Sequence, residues 1–272
     1  MRKHPVLSFA ILAIVPTWAV QFLFLAMGWE LFPALVIELL FLLGAATLVS
    51  AVTGGRPAVR RLFAGAVRWR IGAARFAYVV LALPVVTLLV AAAGGALRFP
   101  AGGVLAEVGG YLFLTLVFGA LLGNVWEETA WAGFAQTRLI ERHGLLRGSL
   151  LSAVPFALIH LPLAWEADGL HGTSGRDLAL AWTLLILAAP FARYLYGMTL
   201  VDTGGSVLAV GILHASFNAS GKLGAVHGWW PPLVALVLLT LATAAWRQAR
   251  SRQARLEDRG YASAGSVSTL TR

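Results

Sequence analysis

The chain has 272 residues, of which 59% are hydrophobic and only 12% are charged, and its formal net charge is +9. Soluble domains have about 45–50% apolar and about 25% charged residues, so this composition excludes an ordinary water-soluble fold. Because the chain has no cysteine, disulfides, thiolate nucleophiles and thiolate metal ligands are excluded as well.

Long apolar runs follow one another along the chain and are separated by short polar stretches, a pattern that predicts membrane-spanning helices. The runs lie near 6–27, 31–53, 76–96, 108–136, 148–163, 178–201, 206–220 and 229–246. We expect an all-α polytopic membrane protein, built as a bundle of about eight transmembrane helices. The fifth and seventh runs are short for a span, which suits helices that are packed inside protein.

The basic residues lie in segments that alternate with poorly charged ones, which is the positive-inside pattern of membrane proteins. Six arginines lie in 56–75, three in 138–147 and five in 247–259. Both termini are therefore expected in the cytoplasm, and the arginine-rich, lysine-poor composition suggests a bacterial plasma membrane. We do not expect nucleic-acid binding, because no stacking aromatic residues on a polar platform accompany the basic segments.

Three regions are expected along the chain. Residues 1–105 are predicted to form N-terminal transmembrane helices with a basic cytoplasmic loop at 56–75. Residues 106–246 are predicted to form a helical core that contains most of the ionisable residues within the spans, and residues 247–272 a basic, disordered cytoplasmic tail. The loop interleaves arginines with apolar residues, as expected of a helix that lies on an anionic membrane surface.

Ionisable residues inside the spans mark the expected functional site, because a charged group at the bilayer centre costs about 2.5–3.5 kcal/mol on insertion scales. The fourth run contains Glu127 and Glu128, the fifth contains His160, and the seventh contains His214 and Asn218. Counted at about 1.5 Å per residue from the cytoplasmic ends, the three helices place these groups roughly 12–18 Å deep. We therefore expect Glu127, His160, His214 and Asn218 to converge on one cavity near the middle of the membrane.

Glu128 is expected to face away from this cavity, because adjacent residues of a helix point about 100° apart. A buried carboxylate then needs another partner, and Arg193 in the sixth run lies at a matching depth. We predict an ion pair between the two residues that joins the fourth and sixth spans. Glu38 in the second run is expected to pair helices or to reach the headgroups rather than to take part in chemistry.

The residue types form a complete set for amide hydrolysis without a serine or cysteine nucleophile. Glu127 is suited to act as the general base on water, and His160 can orient that water and protonate the leaving amine. His214 and Asn218 can donate hydrogen bonds to the oxyanion of a tetrahedral intermediate. Alternatively, Glu127, His160 and His214 can bind a divalent metal such as zinc and leave one position open for water. The residues leave both mechanisms open.

A different class of protein uses the same residue types at the same depth, namely proton-coupled transporters. Transporters usually contain repeated halves, and this chain shows no internal repeat. All candidates also lie between 127 and 218. This asymmetric placement favours an enzyme.

Three motifs resemble the CPBP intramembrane proteases, named for CAAX prenyl proteases and bacteriocin-processing enzymes and also called the Abi family. The motifs are Glu127-Glu128-Thr129-Ala130-Trp131-Ala132-Gly133-Phe134, Phe156-Ala157-Leu158-Ile159-His160 and His214-Ala215-Ser216-Phe217-Asn218. The resemblance implies a glutamate or metallo-endopeptidase that cleaves a membrane-associated protein or peptide, with a non-catalytic immunity or scaffold protein as its rival. It also implies that Glu127 and His160 activate water, that His214 and Asn218 support the oxyanion, and that the chain is from a bacterial branch. Where the family commonly has an arginine, five residues after the first glutamate, this chain has Ala132.

Overall fold

The computed structural model describes the backbone of residues 1–268 and the side chains of residues 1–254. Eight main helices follow the eight apolar runs. They are α1 (Pro5–Ala26), α2 (Phe32–Ala64), α3 (Ala73–Ala93), α4 (Gly103–His143), α5 (Leu145–His160), α6 (Gly175–Asp202), α7 (Val207–Ser220) and α8 (Trp230–Ser268). Residues 1–268 contain no β-strand, so the predicted all-α polytopic membrane fold is confirmed.

Seven of the eight helices are long and apolar enough to cross a membrane, and α7 is the exception. Its 14 residues span about 21 Å, less than the roughly 30 Å of a hydrocarbon core. Nearly every residue of α7 is buried by its neighbours. The prediction that this short run is enclosed by protein is therefore confirmed, while the other helices expose apolar side chains such as Leu40 and Leu89 on their outer faces.

The basic segment after α2 packs beneath the start of α7. Gly55 has a φ of 62° and breaks α2 just before this segment. The Gly65 carbonyl then accepts hydrogen bonds from the amides of Val207 and Leu208, at 3.0 and 3.2 Å. The Ser206 hydroxyl accepts from the Ala209 amide and caps the same helix end. Because these contacts satisfy its first amides, α7 can begin inside the protein rather than in water.

The arginines of segment 56–75 are exposed, whereas some of its apolar residues, such as Leu62 and Ile71, are buried against the bundle. The apolar residues left exposed include Val67 and Trp69. Some apolar side chains of this segment thus pack against the protein, and the others lie on the outer surface.

The tail 247–272 was predicted to be disordered. In the structure, α8 instead continues as a helix through residues 247–268. The segment begins with Arg, Gln and Ala, which are good helix formers, and it has no proline to interrupt the helix that leaves the bundle. Residues 269–272 lie outside the described part of the chain.

The helix α4 is not a regular α-helix. Residues Phe113–Asn124 and Thr129–Gln136 form wider π-helical turns, and the four residues Val125–Glu128 between them are α-helical. The Thr137 hydroxyl, for example, donates to the Ala132 carbonyl five residues earlier. Such turns are rare and often occur at functional sites. Here they surround the two adjacent glutamates.

Glycines let α7 approach α4 closely on both sides of this point. A Cβ atom on Gly211 would lie 2.7 Å from the Cα of Val125, and one on Gly119 would lie 2.7 Å from the Cβ of Ala215. Real Cβ atoms do not come this close, so larger residues would separate the two helices. The close packing brings the middle of α7 against the glutamates of α4.

Candidate active site

The structure brings Glu127 between two histidines that come from two other helices. Its Oε1 lies 3.6 Å from His160 Nε2, and its Oε2 lies 3.7 Å from His214 Nδ1. The side chains of Glu127 and His160 are 11% and 20% exposed, so solvent or substrate reaches a narrow part of each. Oε1 itself is buried and has no hydrogen-bond partner among the described residues. A buried carboxylate oxygen of this kind is a natural acceptor for an ordered water.

His160 has a defined orientation at the end of α5. Its Nδ1 lies 2.7 Å from the Phe156 carbonyl, which can only accept, so Nδ1 carries a proton and donates. In the neutral ring, Nε2 is then an acceptor that faces Glu127. Phe156 also lies beside the ring, with centroids 4.6 Å apart. One turn of helix thus holds the histidine through both a hydrogen bond and a ring contact.

Asn218 joins the cluster through a second asparagine that the sequence did not single out. Asn218 Nδ2 donates to Asn124 Oδ1 at 3.4 Å, and Asn124 Nδ2 donates to Glu127 Oε2 at 3.1 Å. Asn124 is buried, whereas Asn218 is exposed. The signal that could have identified Asn124 is its position three residues before Glu127 in the same apolar run, on the same side of the helix.

Glu128 lies on the other side of His214 and is fully buried. Arg193 Nη1 donates to both of its carboxylate oxygens at 2.8 Å, so the predicted pair between α4 and α6 is present. Gln136 accepts from Arg193 Nη2 and donates to the Arg193 carbonyl. The pair is therefore part of a hydrogen-bonded network, as buried charges require.

Contrary to prediction, Glu128 borders the same cluster as Glu127. His214 Nδ1 donates to Glu128 Oε1 at 3.0 Å and lies 3.7 Å from Glu127 Oε2, so one ring contacts both carboxylates. Adjacent side chains on a helix point about 100° apart, but the His214 ring lies opposite the gap between Glu127 and Glu128. It can therefore reach both carboxylates. Glu128 is nevertheless bonded to Arg193 and His214, whereas Glu127 Oε1 has no hydrogen-bond partner within residues 1–254.

Aromatic side chains cover the buried side of the cluster. Tyr196 packs on His214 with ring centroids 5.3 Å apart, and Phe156 lies 6.0 Å from the same ring. The Arg193 guanidinium lies 5.1 Å from the Phe156 centroid. These contacts exclude water from the ion pair and fix the histidine rings in place.

The N-terminal helices also reach this level of the bundle. Trp18 Nε1 donates to the Leu158 carbonyl at 3.0 Å and fastens α1 to α5 two residues before His160. Gln21, one turn further, donates to Glu38 at 2.9 Å, and both side chains are buried. The role expected of Glu38, joining two helices, is therefore confirmed, and the bond it makes connects α1 and α2.

The three residues considered as zinc ligands do not fit a metal site. Zinc lies about 2.0–2.2 Å from each of its nitrogen and oxygen ligands, so those atoms must converge on one point. His214 instead directs Nδ1 to Glu128, which Arg193 already neutralises. Among the residues whose side chains are described, no group of three or more His, Cys, Asp or Glu is arranged to hold a metal ion. The side-chain geometry gives the metal alternative no support.

The helical membrane bundle holds a buried carboxylate, two histidines and two amides close together. Residues 109–220 match the family model described as type II CAAX prenyl endopeptidase Rce1-like. This match supports a CPBP family intramembrane protease, and the matched segment contains all five candidate residues. A search of curated proteins found no match to this chain.

Proposed function

We propose that this protein is a glutamate-dependent intramembrane endopeptidase and that Glu127 is its general base. The observation that supports this most directly is the pair of acceptors formed by Glu127 Oε1 and His160 Nε2, 3.6 Å apart. A water that lies to one side of this pair can donate one hydrogen to each atom, which leaves an oxygen lone pair free to attack a carbonyl carbon. This arrangement makes a water nucleophilic without a serine, cysteine or metal.

The same two residues, Glu127 and His160, can carry out the proton transfers of the reaction. As the water oxygen bonds to the carbonyl carbon, Glu127 takes one of its protons, and the carbonyl π electrons move to the oxygen. When the tetrahedral intermediate collapses, the C–N bond breaks and the leaving nitrogen takes a proton held by Glu127 or His160. The products are a carboxylic acid, which keeps the second proton of the water, and an amine. Transfer of that proton gives a carboxylate and an ammonium group, and the glutamate returns to its starting state.

The oxyanion of this intermediate is assigned to His214 and Asn218. Asn218 Nδ2 has two N–H groups and uses one of them toward Asn124. The second remains available to the oxyanion. His214 donates from Nδ1 to Glu128, so it donates from Nε2 as well when the ring carries both protons. Asn124 is a positioning residue in this scheme, since it acts through Glu127 and Asn218.

The substrate class is a membrane-associated protein or peptide whose scissile bond reaches the interior of the bundle. To test this, membrane-protein termini are compared by mass spectrometry in cells that express the wild type, Glu127→Gln or Glu141→Gln. Glu141 is an exposed glutamate near the end of the same helix and serves as the matched control. New termini that depend on Glu127 alone support the proposal. An identical set of termini in all three strains would contradict it.

Removing one oxyanion donor should weaken cleavage without abolishing it. We expect Asn218→Ala to lower kcat by about 10²–10³-fold, the usual effect of losing one such donor. The rate is measured with a cleaved peptide taken from the comparison of termini. Lys222→Ala, an exposed change just beyond α7, is the control and should leave the rate unchanged. Equal and mild effects of Asn218→Ala, His160→Ala and Glu127→Gln would favour a transport or structural role instead.

We also propose that the protein lies in a bacterial plasma membrane with both termini on the cytoplasmic side, as the distribution of arginines indicates. Because the chain has no cysteine, single cysteines can be introduced without background. Cysteine at Arg142, exposed at the end of α4, should react with a membrane-impermeant thiol reagent only after the cytoplasmic face is opened. Cysteine at Glu30, exposed between α1 and α2, should react in intact cells. The reverse pattern would invert the topology.

A further inference from the structure

A cavity lies away from the candidate active site, between α3, α6 and α8. Its volume is about 870 Å³. This is within the range of about 300–1,000 Å³ that ligand pockets occupy. The cavity lies near the start of α3 and the end of α6, at the point where the apolar part of α8 is followed by arginines. This end of the bundle is rich in basic residues.

The wall of the cavity is divided into an apolar part and a cationic part. Leu239, Ala242 and Trp246 supply apolar surface, and Arg75, Arg247 and Arg250 supply the charges. A ligand that fills both parts must carry an apolar chain and an anionic group.

The charges of this cavity are not balanced by the protein around it. Arg247 pairs with Asp202. In contrast, neither Arg75 nor Arg250 contacts a carboxylate among the residues whose side chains are described. Arg75 Nη1 donates to the Ile71 carbonyl at 3.1 Å, and the Arg250 guanidinium lies 4.7 Å from the Trp246 ring. Three arginines thus face one aspartate, which leaves an excess of positive charge.

The wall also contains a polar group without a partner. The Thr199 hydroxyl is buried and has no hydrogen-bond partner within the described part of the chain. It belongs to the cavity lining, as do the hydroxyls of Tyr78 and Thr243, which bond to each other at 2.8 Å. Buried hydroxyls are normally hydrogen-bonded, so this one has unused capacity toward a ligand or a water.

We propose that this cavity binds one anionic phospholipid, with its phosphate at Arg75 and Arg250 and an acyl chain along Leu239 and Ala242. Basic pockets between transmembrane helices are suited to anionic lipid headgroups, and the apolar wall distinguishes this one from a basic surface. The site is separate from the proposed catalytic cluster, so it can be tested without measuring proteolysis.

The test is native mass spectrometry of the purified protein titrated with phosphatidylglycerol or phosphatidylcholine of the same acyl composition. We expect one phosphatidylglycerol to bind more tightly than phosphatidylcholine. Arg75→Gln combined with Arg250→Gln should weaken its affinity by about 30-fold, because each arginine beside an anionic lipid contributes roughly a factor of five. The matched control is Arg56→Gln with Arg60→Gln, two exposed arginines outside the cavity, and it should change the affinity by less than twofold.

A second variant, Ala242→Trp, fills the apolar part of the cavity and leaves all three arginines in place. It should also abolish tight binding of phosphatidylglycerol, while size-exclusion chromatography reports whether each variant is folded. Equal binding of the two lipids, or an equal loss in the control pair, would overturn the proposal in favour of a general attraction of basic residues to anionic membranes. Competition by glycerol phosphate as strong as that by the whole lipid would identify a phosphate site without an acyl chain.

Discussion

Glu127→Gln should lower the rate of peptide-bond cleavage by about 10²–10⁴-fold, the contribution of a positioned general base. The substitution is nearly isosteric, and the new amide oxygen can still accept from Asn124, so the shape of the site is retained. What is lost is the ability to take a proton from water. His160→Ala should have a comparable effect, because it removes the second acceptor from the same water.

The measurement is single-turnover cleavage of a peptide identified from the Glu127-dependent termini. Glu141→Gln, in the same helix, controls for the loss of one negative charge and should cleave at the wild-type rate. Thermal unfolding in detergent must show equal stability for both variants. A Glu127→Gln protein that is folded and fully active would rule out this residue as the base.

Breaking the ion pair between Glu128 and Arg193 should destabilise the protein strongly. Both side chains are completely buried, and removal of one partner from a buried pair typically costs about 3–5 kcal/mol because the remaining charge is left uncompensated. We expect Glu128→Gln and Arg193→Gln each to reduce the folded yield in detergent severely. Arg247→Gln, which breaks a partly exposed pair, should cost only about 0–1 kcal/mol.

The double variant tests whether the two residues act as a pair. With both charges removed, neither is left buried alone, so the double variant should be more stable than either single variant. Losses that simply add would contradict the pairing, because additivity is the behaviour of independent sites. Cleavage measured on the folded fraction would further show whether the pair holds His214 in its working orientation.

Counting residues from the expected span ends predicted which residues meet, although two of the helix ends differ in the structure. Glu127, His160 and His214 were placed together by counting residues from the span ends, and Arg193 was assigned to Glu128 in the same way. The reason is that an ionisable group tolerated in lipid must find a polar neighbour at its own level. The pairing also accounts for Ala132, since a guanidinium from α6 neutralises the carboxylate that a local arginine would otherwise serve.

Other features depend on backbone geometry that residue counting does not contain. In the structure, Glu127 lies 16 residues before the end of α4 at His143, whereas His214 lies only seven after the start of α7, and yet the two meet. The sequence pattern does not reveal that α7 begins inside the bundle, because its start depends on the Gly65 carbonyl from a distant loop. The π-helical turns of α4 likewise leave no apolar periodicity that differs from a regular helix.

The buried ion pair has a consequence for how the protein is made. Glu128 and Arg193 are 65 residues apart, so α4 is synthesised well before the helix that neutralises it. Until then, α4 carries two adjacent carboxylates into the bilayer, at a cost of about 2.5–3.5 kcal/mol for each one that is ionised. We therefore expect α4 to be held in the membrane more firmly once α6 is present than before. A chain that ends before Arg193 should retain α4 in the bilayer less firmly than the full chain does.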